Sequence, residues 1–195
     1  MIELVLATNN VHKVEEIQQI LGGRFQIRTL AEENISVEVE ETGASFAENA
    51  IIKASVIAKL TGKYALSDDS GLVVAALGGK PGIYSARYAG EGHDDKANII
   101  KLLDDMQHKQ DRSAKFVSAV ALCKPNGEVV IAEGAAEGEI LREQRGAGGF
   151  GYDPVFFSHE LQKTFAEATA QEKNAVSHRK RALQNLAAKL SLEYS

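Results

Sequence analysis

Leu4-Val5-Leu6-Ala7 is a short unbroken apolar run, as in a buried strand, and Val14, Ile17 and Leu21 then recur at helical spacing up to Gly22-Gly23. This pattern predicts a strand, a turn through residues 8–13 and a helix. Ser45 with Glu48 three residues on matches a capping box and launches a helix through Phe46, Ala50, Ile57 and Leu60 to Gly62. A strand-bearing segment, Tyr64 to Leu77, follows. Asp94 or Asp95 caps a helix through Ile99, Leu102, Leu103 and Met106. Phe116 to Cys123 and Val129 to Ala132 flank Pro125-Asn126-Gly127, a hairpin signal. The last long element is read as one helix from Gln171 to Leu190, with Ala175, Val176, Ala182, Leu183, Leu186 and Leu190 as its apolar stripe. Helices and strands alternate early and hairpins dominate the middle, so the expected class is α/β around a mixed sheet.

Several polar residues interrupt this pattern. Ser67-Asp68-Asp69-Ser70-Gly71 sets two adjacent carboxylates between the apolar runs Ala65-Leu66 and Leu72 to Leu77. Carboxylates in a sheet interior require a compensating cation. In an extended segment the two acids point to opposite faces, whereas a bend at Ser70-Gly71 brings both to one cavity; a solvated turn is the plainer alternative. Thr8-Asn9-Asn10-Val11-His12-Lys13 leads into the first helix with Asn10 as cap, yet Lys13 stands in the first turn, where the helix dipole favours acids. A bound anion would resolve that reversed charge order, because a helix start with a lysine makes a phosphate site.

Asn49 and Lys53 lie on the otherwise apolar stripe of the second helix, and Lys53 can also be read as snorkelling past its neighbours. Upstream runs an acidic segment, Glu32-Glu33 and Glu38 to Thr42, which is either a solvated charge run or a supply of oxygen ligands for a divalent cation. His178-Arg179 occupies the apolar stripe of the last helix, with Lys173 upstream; these are donors for a planar, electron-rich ligand or, more plainly, a core histidine and a bridged arginine. Gly146-Ala147-Gly148-Gly149-Phe150-Gly151 has the spacing G-x-G-x-x-G, but Pro154 opposes a helix there and excludes a dinucleotide fingerprint. What remains is a loop with two aromatics, Phe150 and Tyr152, able to stack on a base, and the carboxylate of Asp153.

Composition narrows the classes. With 195 residues, 44% hydrophobic and 25% charged, the chain suits one domain or two closely packed lobes, and its net charge of −5 argues against a nucleic-acid or anionic-membrane surface. The single cysteine, Cys123, reads as a small buried hydrophobe. Met1-Ile2-Glu3-Leu4 lacks a basic leader and no apolar run is long enough to span a membrane, so the cytoplasm is the expected location.

Taken together, Thr8-x-Asn10-x-x-Lys13, Glu40-Glu41-Thr42-Gly43, Phe46-x-Glu48-Asn49-Ala50-x-x-Lys53-Ala54, Ser67 to Leu72, Pro81 to Tyr88, Gly148 to Pro154 and Ser177-His178-Arg179 closely resemble the inosine/xanthosine triphosphate pyrophosphatases, in order over nearly the whole chain. The resemblance implies a single domain over residues 1–195, an elongated α/β fold with a long mixed central sheet and flanking helices forming two lobes, a nucleotide cleft between them, and a homodimer. It implies Mg2+-dependent hydrolysis of purine nucleoside triphosphates such as ITP, dITP and XTP to monophosphate and pyrophosphate. By the same resemblance Asp69 is the proton acceptor and a metal ligand, with Asp68 and Glu40 or Glu41 completing or supporting the cation site. Thr8, Asn10, Lys13 and Lys53 hold the phosphates, and Ser70 belongs to the substrate contacts. Phe150 stacks on the base within the Phe150-Gly151-Tyr152-Asp153 loop, and Asp153, Lys173, His178 and Arg179 read its edge. A non-catalytic purine-nucleotide sensor and a Mg2+-dependent phosphomonoesterase are the alternatives, and the identity of the first product separates them.

Overall fold

The computed structural model describes residues 2–21 and 25–193. The expected helix stop at Gly22-Gly23 lies outside the described residues. The order is β1 (Glu3–Leu6), α1 (Val11–Leu21), β2 (Gln26–Thr29), α2 (Phe46–Thr61), β3 (Tyr64–Val74), α3 (Asp95–Asp105), β4 (Ser113–Cys123), β5 (Val129–Ile140), β6 (Phe156–Ser158), β7 (Lys163–Thr164), α4 (Ala170–Val176) and α5 (His178–Glu193). Short 3-10 turns at Ala75–Leu77 and Gly82–Arg87 follow β3. The strands form one seven-stranded sheet in the order β2-β1-β3-β4-β5-β6-β7. It is mixed: β1 runs parallel to β2 and β3, while β6 is antiparallel to β5 and β7. The α/β class around a mixed sheet therefore holds.

By contact, the chain divides into two compact units, one made of residues up to Asp69, 118–134 and those from Arg179 on, the other of residues 70–117 and 135–178. In the first unit, strand alternation sorts the core onto two faces. Leu4, Leu6, Leu66, Val120 and Leu122 pack with Ile17 of α1 and Ala182, Leu183 and Leu186 of α5. Val5, Ala7, Ala65, Ala119 and Ala121 pack with Ala50, Ala54, Ile57 and Ala58 of α2. Helices thus cover both faces, which is why β1 reads as an uninterrupted apolar run. Cys123 is buried in the α2 cluster, as a small hydrophobe. The second unit closes around Phe116, Phe156 and Phe165 with Leu72, Val74, Ile99, Leu102 and Ile140.

Some expectations change. Residues 67–71 form no bend: β3 runs straight through them, because Leu72 and Val74 continue the buried alternation beyond the acids. The last helix is two helices, since Ser177 between them is extended, with φ −67° and ψ 153°. The capping box at Thr169 and Glu172 starts α4 one residue before the expected start. Leu60 and Ala175 drop out of their predicted stripes and are exposed. The hairpin at Pro125-Asn126-Gly127 is present, but β4 begins earlier than predicted, at Ser113, β5 runs on to Ile140, and β2, β6 and β7 had no strong signal in so few residues. Ser45 caps α2 and Asp94 caps α3.

Candidate active site

In β3 the period of two decides the fate of the two acids. Asp68 shares the face of Leu66, toward α1 and α5, and Asp69 shares that of Ala65, toward α2. Asp68 is fully enclosed. Its Oδ2 accepts from Arg179 Nη2 at 3.0 Å and pairs with Lys13 Nζ at 3.0 Å, and its Oδ1 accepts from Ser118 Oγ at 2.5 Å. Arg179, at the start of α5, also pairs with Glu16 of α1. Burial opposes ionisation of Asp68, but Arg179, Lys13 and the Ser118 hydroxyl outweigh it and hold the carboxyl well below the usual range. Asp68 and Glu16 in turn raise Arg179 against its own burial.

Asn10 caps α1, its Oδ1 accepting from Lys13 N at 3.2 Å, and Thr8 Oγ1 accepts from Asn10 N at 3.1 Å. Lys13 in the first turn is thus explained in part from inside the protein, by Asp68. Thr8, Asn10 and Lys13 lie together at this helix start, where backbone N–H groups carry partial positive charge.

On the opposite face, α2 presents Asn49 and Lys53, one turn apart, to Asp69. Asn49 Nδ2 donates to Asp69 Oδ2 at 3.3 Å and Lys53 Nζ to Oδ1 at 3.1 Å. Lys53 also donates to Glu41 Oε1 at 2.8 Å. Burial pushes the Asp69 carboxyl above its ordinary value, and Glu41 adds to the rise, against Lys53 and Lys13. Lys53, though penalised by burial, is raised by the two carboxylates. The Lys53 ammonium thus lies between two acids, and the Asp69 carboxyl stays raised beside it. This shortage of positive charge beside hard oxygen donors fits a divalent cation. Among the described residues no group of three His, Cys, Asp or Glu stands ready to hold a metal. Mg2+ needs none, because it is commonly held by one or two carboxylates plus substrate phosphates. Glu40 is exposed next to Glu41.

The second unit holds the other group. Asp153 Oδ2 accepts from Lys173 Nζ at 2.7 Å and from the Phe150 N–H at 3.0 Å. The Lys173 ammonium also sits 4.6 Å from the Phe150 ring centroid. Gly149 lies at φ +71°, and a Cβ there would meet Asp153 Oδ2 at 2.1 Å, so this turn of the loop admits only glycine. The Gly151 N–H donates to Asp95 at 2.8 Å. His178 is buried and stacks on Phe116, centroids 4.9 Å apart and planes at 16°. Ser70 is half-buried in β3.

The geometry also shows where the remaining expected residues lie. The Asp68 carboxylate faces away from that of Asp69 and meets Arg179, Lys13 and the Ser118 hydroxyl. Arg179 packs against Asp68 and Glu16 in the first unit, whereas His178, its neighbour in sequence, stacks in the aromatic core of the second. Tyr152 is buried, and its hydroxyl donates to the Ser85 carbonyl at 2.7 Å. Sequence reasoning overlooked Ser118 and Glu16. Ser118 left a trace, a hydroxyl inside the apolar run Phe116 to Cys123; Glu16 left none.

A mixed α/β sheet bearing a desolvated carboxylate beside a lysine has the make-up of an acid–base enzyme. Residues 4–189 match the Ham1 family. A dITP/XTP pyrophosphatase of Bacillus licheniformis is 49% identical over 193 residues, 97% of this chain and 98% of that protein. One of Pseudomonas aeruginosa is 50% identical over 194 residues, again 97% and 98% of the two chains. The solved structure of the Staphylococcus aureus Ham1 protein superposes with a TM-score of 0.88 at 42% identity, covering 98% of this chain and 99% of that one. The chain belongs to the Ham1 family.

Proposed function

We propose that this chain is a nucleoside triphosphate pyrophosphatase that hydrolyses dITP, ITP and XTP to the monophosphate and pyrophosphate, removing deaminated purines from the nucleotide pool. Relatives about half identical over nearly full length are named dITP/XTP pyrophosphatases. The observation that carries the chemistry is Asp69, a largely buried carboxylate with a raised proton affinity, held by Lys53 and Asn49. Such a group is a good acceptor for the proton of an attacking water. The water oxygen bonds to the α-phosphorus, the bond from that phosphorus to the bridging oxygen breaks, and pyrophosphate leaves with the electron pair.

The start of α1, with Thr8, Asn10 and Lys13, together with Lys53, holds phosphate oxygens. Asp69 and Glu41, with Glu40 alongside, would hold Mg2+, which when bound neutralises phosphate charge and acidifies its water. Ser70 is a further substrate contact. Phe150 stacks on the base, while Lys173 and His178 donate to its acceptors and Asp153 accepts from ring N–H. A 6-amino group in place of the 6-keto oxygen would set donor against donor, a penalty of about 1–3 kcal/mol per unpaired buried group. ATP is accordingly a poor substrate. Homodimeric assembly belongs to the same proposal and is checked by sedimentation. So does a cytoplasmic location, where the nucleotide pool is; among the described residues no helix is long and apolar enough to cross a membrane.

The test is a substrate panel with separate detection of pyrophosphate and orthophosphate. dITP and XTP are expected to yield pyrophosphate at rates far above ATP and GTP; no turnover, or orthophosphate as first product, would reject the reading. Chelation by EDTA is expected to abolish turnover and excess Mg2+ to restore it, whereas full activity in EDTA would remove the metal. Gly149→Ala is expected to raise KM for dITP by about tenfold or more through displacement of Asp153, with a smaller effect on kcat. An unchanged KM would place base binding elsewhere.

A further inference from the structure

Asn49 is 1% exposed, and its side chain makes two bonds of opposite sense. Its Oδ1 accepts the Gly43 N–H at 2.8 Å, and its Nδ2 donates to Asp69 Oδ2 at 3.3 Å. The amide orientation is dictated by its partners, since a backbone N–H only donates and a carboxylate only accepts. Gly43 is pressed against this amide: a Cβ there would meet Asn49 Oδ1 at 2.6 Å, Glu48 Cβ at 2.7 Å and Asn49 N at 2.9 Å. Lys53, one turn further along α2, repeats the arrangement by holding Asp69 Oδ1 and Glu41 together. Both oxygens of Asp69 are thereby pinned from one rigid helix, and the segment carrying Glu40, Glu41 and Gly43 is pinned by the same two side chains.

From this geometry we infer that Asn49 is a positioning residue for hydrolysis: it sets the plane of the Asp69 carboxylate and locks the Glu40–Gly43 segment to it. The inference rests on Asp69 being the proton acceptor. Neither bond of Asn49 touches substrate, so its loss acts on the reacting geometry more than on nucleotide binding. Asn49→Asp retains the shape and the acceptor for Gly43 but sets a carboxylate against Asp69. Asn49→Ala removes both bonds. Gly43→Ala displaces the amide from the opposite side.

The experiment measures kcat and KM for dITP with Mg2+, by pyrophosphate release, on these three variants and on Asp69→Asn, with thermal midpoints to confirm folding. All three are expected to lower kcat about 10- to 100-fold, as for lost supports of a reacting group, with KM changed less than about threefold. Folded Asn49→Asp or Asn49→Ala protein with kcat within about twofold of wild type would overturn the inference. So would an effect confined to KM, or unfolding of both, which would make Asn49 a residue of the fold alone. An active Asp69→Asn would instead remove the reading beneath it.

Discussion

Asp69→Asn is expected to lower pyrophosphate release from dITP by at least about 10²-fold, the usual range for a lost general base, while nucleotide binding stays measurable. The substitution keeps the size of the side chain and leaves Lys53 its pair with Glu41. It also bears on stability. The Asp69 carboxyl is raised in the folded protein, so the native state binds a proton more readily than the unfolded chain between the two pKa values. Its ionisation therefore costs stability, fully so above the folded pKa and not at all below the unfolded one. Removing that charge relieves this cost, but the new amide must set its NH2 against either Lys53 Nζ or Asn49 Nδ2, so the urea resistance of the nucleotide-free protein at neutral pH is expected to change little. An active variant would take Asp69 out of the chemistry, and a marked loss of stability would show that its charge supports the fold.

Arg179→Ala is expected to destabilise the protein by about 3–5 kcal/mol, the cost of leaving a buried charge without its partner. Asp68 would lose its guanidinium partner and be left beside Lys13 and Ser118, and Glu16 would lose the arginine. The measurement is the urea midpoint at constant slope. Arg179→Lys should recover little, because one ammonium cannot replace a guanidinium that reaches Glu16 and Asp68 through separate nitrogens. Full stability with lost discrimination between ITP and ATP would return Arg179 to the base. The acid limb follows from Asp68, whose carboxyl is depressed in the folded state. Its contribution is fully present above the unfolded value of about 4 and is lost as pH falls through the folded one.

Much of this site was legible because its residues break local patterns. Lys13 stands against a helix dipole, Asn49 and Lys53 interrupt an apolar stripe, and Asp68-Asp69 interrupts an apolar strand; each is a deviation from a short-range period. Each now has partners: Lys13 with Asp68, and Asn49 and Lys53 with Asp69. The Ser45 cap and the Asn-Gly hairpin were legible for the same reason, since their bonds join residues only a few positions apart. The split at Ser177 was not, because the apolar stripe continues at helical spacing across it and no local period records the extended residue.

By itself the sequence determined the α/β class, the main helices and strands and the family, because these depend on residue type and near spacing. Only the tertiary structure decided which residues meet. Asp68 and Asp69 are neighbours of the same type, yet one strand turns them to opposite faces, where α1 and α5 bring cations to the first and α2 brings an amide and a shared lysine to the second. Arg179 reaches Asp68 across 111 positions of chain, and Ser118 does so across 50. Packing alone sets such pairings: it encloses Asp68 among cations that hold its carboxyl low, and it leaves the Asp69 carboxyl raised.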